Sequence, residues 1–234
     1  MTKPYLRKTA IVTGASSGIG AAIAKELAEA GFNIVLAARN EEKLAEIAAD
    51  IGHEEKTLCV KTDITSQKEV NDLAERAKEK FGGIDVYVNN AGKMGSSSVV
   101  NGNVSDWEQM IDINIKGVLY GIHSVLPDML ENKSGHIVNI ASDSGLEVTK
   151  RLTVYCATKF AVRAISTGLE KELAGTGVRV SNISPGMVET PLSSKSPFES
   201  DRKKLETSDI AKAVIYALSQ PDYVNVNEIT VRPV

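Results

Sequence analysis

Short, almost continuously apolar runs alternate along this chain with longer amphipathic ones, and that alternation leaves few folds open. The strand candidates are Thr9–Thr13, Asn33–Ala38, Thr57–Lys61, Ile84–Val88, Gly135–Ala141, Val178–Ile183 and Glu228–Val231. Helical periodicity marks Gly18–Ala30, closed by Gly31, then Glu41–Ile51 and a helix beginning at Ser66. It continues in a long helix from Ser105 to Glu131, in Val154–Ala174 and in Ser208–Gln220. Ser66 with Glu69, and Ser105 with Glu108, have the spacing of a capping box. Strands alternating with helices of this length form right-handed βαβ units. Runs such as Ile34–Ala38 suit a sheet covered on both faces. The expected fold class is therefore α/β: a doubly wound, mostly parallel seven-stranded sheet with helices on both faces. No internal repeat or dividing linker interrupts the pattern, so residues 1–234 read as one domain.

In such a sheet ligands gather outside the carboxyl ends of the strands, where the strand order reverses. The loops after Thr13, Ala38, Lys61, Val88, Ala141 and Ile183 should then carry function. The first of them is Thr13-Gly14-Ala15-Ser16-Ser17-Gly18-Ile19-Gly20, which leaves a strand and opens a helix. Glycines there let the backbone turn tightly and approach a pyrophosphate, while the helix N-terminus supplies N–H donors. A carboxylate is expected about 20 residues on if a free ribose 2′-hydroxyl is to be bound. The second strand instead ends Ala37-Ala38-Arg39-Asn40. A guanidinium at that tip pairs with a 2′-phosphate, which points to NADP(H) over NAD(H). Asp63, in Thr62-Asp63-Ile64, accepts from an adenine amino group or caps the following helix, and the sequence does not separate the two.

Composition narrows the alternatives. Aromatics are only 5 % of the residues and the net charge is −3, so neither a base-stacking surface nor a basic face for nucleic acid or anionic membrane is expected. Cys59 and Cys156 are far apart, and His53, His123 and His136 lack ligand spacing, so no metal is assigned. No apolar run reaches the roughly 20 residues of a membrane span, and no signal-like segment opens the chain. The expectation is a soluble cytoplasmic protein.

Further motifs occupy the other predicted loops. Asn89-Asn90-Ala91-Gly92 follows the fourth strand, Ser142 the fifth and Pro185-Gly186 the sixth, with Thr190 just beyond. Tyr155 and Lys159 stand at i and i+4 and so share one helix face. A free tyrosine has a pKa of about 10, too high for efficient proton transfer near neutrality, and a neighbouring ammonium would lower it. In this order and spacing, from Thr9 to about Leu192, the chain resembles the short-chain dehydrogenase/reductase family, of the shorter single-domain type.

The resemblance implies a Rossmann-type fold and an alcohol–carbonyl oxidoreductase. Tyr155 would be the general acid/base, Lys159 would bind the nicotinamide ribose, and Ser142 would hydrogen-bond the substrate oxygen. Asn114 would hold a proton-relay water by distorting its helix. Cofactor contacts are implied at Gly14, Ser16, Ser17, Gly18, Ile19, Gly20, Arg39, Asp63, Ile64, Asn90, Ala91, Gly92, Tyr155, Lys159, Pro185, Gly186, Val188 and Thr190. A homotetramer or homodimer is implied as well, through the helices at 105–131 and 154–174.

Pro185–Thr207 reads as irregular, and substrate would face Lys93–Ser98, Asp143–Val154 and Met187–Glu206, the last as a lid. Lys150 and Arg151 would attract an acidic substrate or simply be solvated. The tail from Val224 to Ile229 with Arg232-Pro233 resembles the serine/3-hydroxy acid dehydrogenase branch, which favours a small hydroxy or keto acid. The rivals are reduction of a 3-oxoacyl thioester or another ketone, and, in a different class, a non-catalytic NADP-binding regulator.

Overall fold

The computed structural model describes Tyr5, residues 7–195 and residues 203–234. The strands are β1 (Thr9–Thr13), β2 (Asn33–Ala38), β3 (Thr57–Lys61), β4 (Val86–Asn89), β5 (Gly135–Ile140), β6 (Val178–Pro185) and β7 (Glu228–Val231). The helices are α1 (Gly18–Ala30), α2 (Glu41–Ile51), α3 (Gln67–Phe81), α4 (Val104–Ile111), α5 (Gly117–Glu131), α6 (Thr153–Glu172) and α7 (Thr207–Leu218). The sheet order is β3-β2-β1-β4-β5-β6-β7 and every pairing is parallel. This is the expected doubly wound Rossmann arrangement, with its switch in strand order between β1 and β4.

The first three helices have local reasons for where they begin or end. Gly31 stops α1 at φ 107°, and its N–H returns to the carbonyls of Ala28 and Leu27. Asn40 caps α2 by accepting from Lys43 N–H, with Glu41 and Glu42 in the dipole-favoured first turn. Ser66 caps α3 through Glu69 N–H, but the Glu69 carboxylate reaches back past it to Asp63 N–H at 2.8 Å.

The helices bury two apolar layers. Ile23, Leu27, Ile34, Leu36, Leu44, Val88, Ile210 and Val214 fill the face under α1, α2 and α7. Ile11, Val35, Leu73, Tyr87, Val118, Val125, Ile137 and Val162 fill the other, under α3, α5 and α6. Full burial of one such aliphatic side chain contributes roughly 1.5–3 kcal/mol.

Four local expectations need correction. The span expected as one helix, 105–131, is interrupted by a π-helical turn at Asp112–Lys116. Asn103, not Ser105, caps α4, because its side chain accepts from Ser105 N–H at 3.0 Å. The fourth strand starts two residues later than its apolar run, at Val86, and the Asp85 carboxylate before it accepts from Thr9 N–H. The Pro185–Thr207 stretch is not wholly irregular, since Val188 pairs with Leu205 in a parallel bridge and Ser193–Lys195 forms a short helical turn. The rest of the expected lid, residues 196–202, lies outside the described residues.

Candidate active site

One cavity of about 600 Å³ opens along the carboxyl ends of the strands. It runs from Arg39, Asn40 and Asp63, beyond β2 and β3, past the α1 N-terminus to Ser142 and Tyr155, beyond β5. A volume of this size suits a ligand larger than a small substrate alone. Of the expected site residues, Gly20 and Asn114 do not line it; the others do.

The phosphate loop turns tightly off β1, with the Ala15 N–H donating to the Ala37 carbonyl at 3.2 Å. Gly14 adopts φ 65°, and a Cβ there would lie 2.9 Å from Ala91 Cα. A Cβ on Gly20 would run into the Asn90 side chain and the Gly14 carbonyl, so this glycine serves close packing rather than contact with a ligand. Ser17 stands at the N-cap of α1 with no side-chain cap, and the first turn carries no acid. Uncapped N–H groups at a helix start that lines a cavity make an anion site.

Thr13 and Asn90 hold this loop in place. Thr13 Oγ1 donates to the Val88 carbonyl at 3.0 Å and accepts from the N–H groups of Asn90 and Ala91. Asn90 Nδ2 donates to the carbonyls of Thr13 and Gly14 at 2.8 and 3.4 Å. Sequence reasoning passed over Thr13; a β-branched hydroxyl closing an apolar strand just before the glycine loop was the available signal. Thr190 sits across from the loop, with its Cγ2 3.4 Å from where a Gly18 Cβ would be.

At the far end of the cavity Arg39 is exposed and, among the described residues, makes no ion pair or hydrogen bond. Asp63 Oδ1 accepts from Thr65 N–H at 2.9 Å and from Thr65 Oγ1 at 2.8 Å, so this carboxylate turns the chain ahead of α3. It lines the cavity as well, and the cap of α3 is Ser66 and not Asp63.

At the other end, Tyr155 and Lys159 project from α6 and are 6 % exposed each. Lys159 Nζ donates to the Ile140 carbonyl at 3.0 Å and lies 5.9 Å from the centre of the Tyr155 ring. Burial pushes the Lys159 ammonium down to about 8 and the Tyr155 phenol up to about 12, the latter partly offset by the Ser142 hydroxyl. The expected lowering of the phenol by Lys159 is therefore not found. Desolvation outweighs it, and the ammonium is turned toward a backbone carbonyl.

Ser142 Oγ accepts from Ser144 N–H at 3.2 Å and lies 3.3 Å from Asp143 Oδ1 and 3.5 Å from the Pro185 carbonyl. Asn114 is 1 % exposed, and its amide is spent within the protein. It donates to the Lys93 carbonyl at 2.8 Å and to Thr158 Oγ1 at 3.0 Å, and accepts from Lys93 N–H at 2.8 Å. Its side chain thus ties the loop after β4 to α6, while the π-turn around it alters the carbonyl register of the helix. Met94, Thr149 and Leu152 complete the wall beside Tyr155, with Met110, Trp107 and Cys156 packed behind.

An uncapped helix start, a glycine loop and a buried Tyr–Lys pair thus share one cavity at the strand-order switch. The model of the short chain dehydrogenase family matches residues 8–200. The chain belongs to that family. An uncharacterized oxidoreductase of Staphylococcus saprophyticus is 59 % identical over 230 residues, covering 97 % of each chain. Among solved structures, the closed form of serine dehydrogenase complexed with NADP+ is 32 % identical with a TM-score of 0.90, covering 95 % of this chain and 94 % of that one. An alcohol dehydrogenase from Thermococcus sibiricus complexed with 5-hydroxy-NADP is 30 % identical with a TM-score of 0.89, covering 97 % of each. The chain is an oxidoreductase of this family.

Among the described residues no helix is long and apolar enough to cross a membrane, and no cluster of potential metal ligands occurs.

Proposed function

We propose that residues 1–234 form one NADP(H)-dependent oxidoreductase domain that interconverts an alcohol and a ketone or aldehyde. The observation that carries this reading is the buried Tyr155–Lys159 pair on the same cavity as the uncapped start of α1. The bound nicotinamide supplies or accepts the hydride. Gly14, Ser16, Ser17, Gly18 and Ile19 would hold its pyrophosphate, and Arg39 the 2′-phosphate; Asp63 and Ile64 would sit at the adenine. Asn90, Ala91, Gly92, Pro185, Gly186, Val188 and Thr190 would flank the nicotinamide half. NADP-bound relatives of the same fold support the choice of cofactor.

Reduction needs a hydride at carbon and a proton at oxygen. With its phenol held up to about 12, Tyr155 keeps its proton at neutral pH and is the donor to the carbonyl oxygen. Ser142 donates a hydrogen bond to the same oxygen and favours the charge that develops there. Lys159 is the positioning and charge partner of Tyr155. Asn114 fixes the wall on which Tyr155 stands, and the loosened carbonyls of its π-turn offer acceptors to a relay water. In oxidation the same proton path runs in reverse.

A small hydroxy or keto acid is the favoured substrate, supported by the C-terminal resemblance and by the likeness to serine dehydrogenase. Cytoplasmic placement and a homotetramer or homodimer accompany the reading. The test is consumption of NADPH and of NADH against a panel of small ketones, keto acids and acyl thioesters. Faster turnover with NADPH upholds the reading. Equal or faster turnover with NADH removes Arg39 from the phosphate site, and failure with every carbonyl removes the reaction class.

A further inference from the structure

Arg232 follows the end of β7 and does not line the cavity, yet it is tied to the reacting centre. The Val231 carbonyl just before it accepts from Gly186 N–H at 2.7 Å. A Cβ on Gly186 would lie 3.2 Å from Pro233 Cδ, 3.3 Å from Asp143 Oδ2 and 3.4 Å from Arg232 Cγ. The bare glycine thus seats the stem of Arg232 beside the Asp143 carboxylate. Arg232 Nε stands 3.7 Å from Asp143 Oδ2, and another edge of the guanidinium reaches Glu147 at 3.5 Å. The other carboxylate oxygen, Asp143 Oδ1, is 3.3 Å from Ser142 Oγ. The Ser144 N–H is bonded to this carboxylate as well.

The line Arg232–Asp143–Ser142 bears on what Ser142 has to do. In the proposed reduction its hydroxyl donates to the substrate oxygen, where negative charge develops. The Asp143 carboxylate opposes this twice. It competes for the Ser142 hydrogen, and its charge repels the developing oxyanion. The same charge raises the Tyr155 phenol. A guanidinium paired with the far oxygen of that carboxylate offsets both effects, while Glu147 keeps the guanidinium from swinging away.

We propose that Arg232 is a positioning residue for the reaction: it compensates the Asp143 carboxylate and so leaves the Ser142 hydroxyl to the substrate oxygen. This rests on the oxidoreductase reading above and adds to it a residue that acts only through Asp143 and Ser142.

The test is a double-mutant cycle on kcat/KM for one ketone at saturating NADPH. It is run at about pH 8, above the ordinary carboxylate range, to keep Asp143 ionised. Arg232→Gln is expected to lower kcat/KM by about 10-fold, the scale of one charge-assisted hydrogen bond. In an Asp143→Asn background the same change should cost less than about twofold, because the charge to be compensated is gone. Arg232→Lys, which keeps the charge, should stay within about threefold of the wild type. A merely structural loss would appear equally in both backgrounds. No loss in Arg232→Gln, or the same loss with and without the Asp143 charge, overturns the proposal and leaves the oxidoreductase reading intact. If the wild type reduces no carbonyl, that reading fails separately, and the pairing is then decided without turnover. The Asp143 carboxyl is titrated by carbon-13 NMR of aspartate-labelled protein. Titration at higher pH in Arg232→Gln than in the wild type upholds the pairing, and identical titration overturns it.

Discussion

Lys159 and Tyr155 share a face of α6, yet the Lys159 Nζ points to the Ile140 carbonyl and stands 5.9 Å from the Tyr155 ring centre. Both groups are buried, and burial drives each toward its neutral form. At neutral pH the cost to folding falls on Lys159 alone, since the Tyr155 phenol is neutral in the unfolded chain as well.

That cost has a sign and a pH window. Lys159 titrates at about 8 in the folded chain against an ordinary 10.5, so between those values the unfolded chain holds the extra proton and stability rises with pH. Below pH 8 the full penalty, about 3 kcal/mol, is present. Lys159→Met should then be more stable than the wild type at pH 7, by about 2 kcal/mol once the lost bond to Ile140 is counted. Its lead should shrink between pH 8 and 10.5. Denaturant unfolding at several pH values reads this directly, and a lead independent of pH contradicts it.

Tyr155→Phe removes the hydroxyl proposed to donate the proton and leaves the aromatic packing. Turnover should fall by about 10²–10⁴-fold, while NADPH affinity changes less than about threefold. Fluorescence titration beside steady-state kinetics separates the two. Parallel loss of both would make Tyr155 a structural residue.

Arg39→Asp replaces an exposed cavity-lining cation by an anion. The ratio of kcat/KM for NADPH over NADH should drop by about 100-fold, the scale of a charge-assisted pair lost and a repulsion gained. A ratio that does not move would place the 2′-phosphate elsewhere.

Asn114→Ala strips three hydrogen bonds from a buried position and leaves Lys93 N–H, the Lys93 carbonyl and Thr158 Oγ1 without that partner. Stability should fall by about 2–4 kcal/mol, read as a lower denaturant midpoint. A loss under about 0.5 kcal/mol would show that water replaces the amide without penalty.

The strands and helices were legible because their periodicities are strong, and the cavity's place followed from strand order alone. Gly14, Gly18, Ser142, Tyr155 and Lys159 were legible as residue types at fixed spacings on the loops that such a sheet exposes. What sequence could not show was set by the third dimension. A distorted helix at Asn114 was implied by the resemblance; that the amide is held by the Lys93 backbone and the Thr158 hydroxyl was not. The protonation of the Tyr–Lys pair depends on burial, which spacing does not encode. The contacts of Asp143 with Ser142 and Arg232, 89 positions apart in the latter case, exist only in the fold.

The measurement that tests the central claim most directly follows the hydride itself. NADPH carrying deuterium at the transferable position is incubated with the protein and a ketone substrate, and the alcohol is analysed by mass spectrometry. The expected result is a single deuterium on the carbinol carbon, formed by the wild type and lost with Tyr155→Phe. An alcohol without deuterium, or equal labelling by the Tyr155→Phe protein, would contradict hydride transfer assisted by Tyr155.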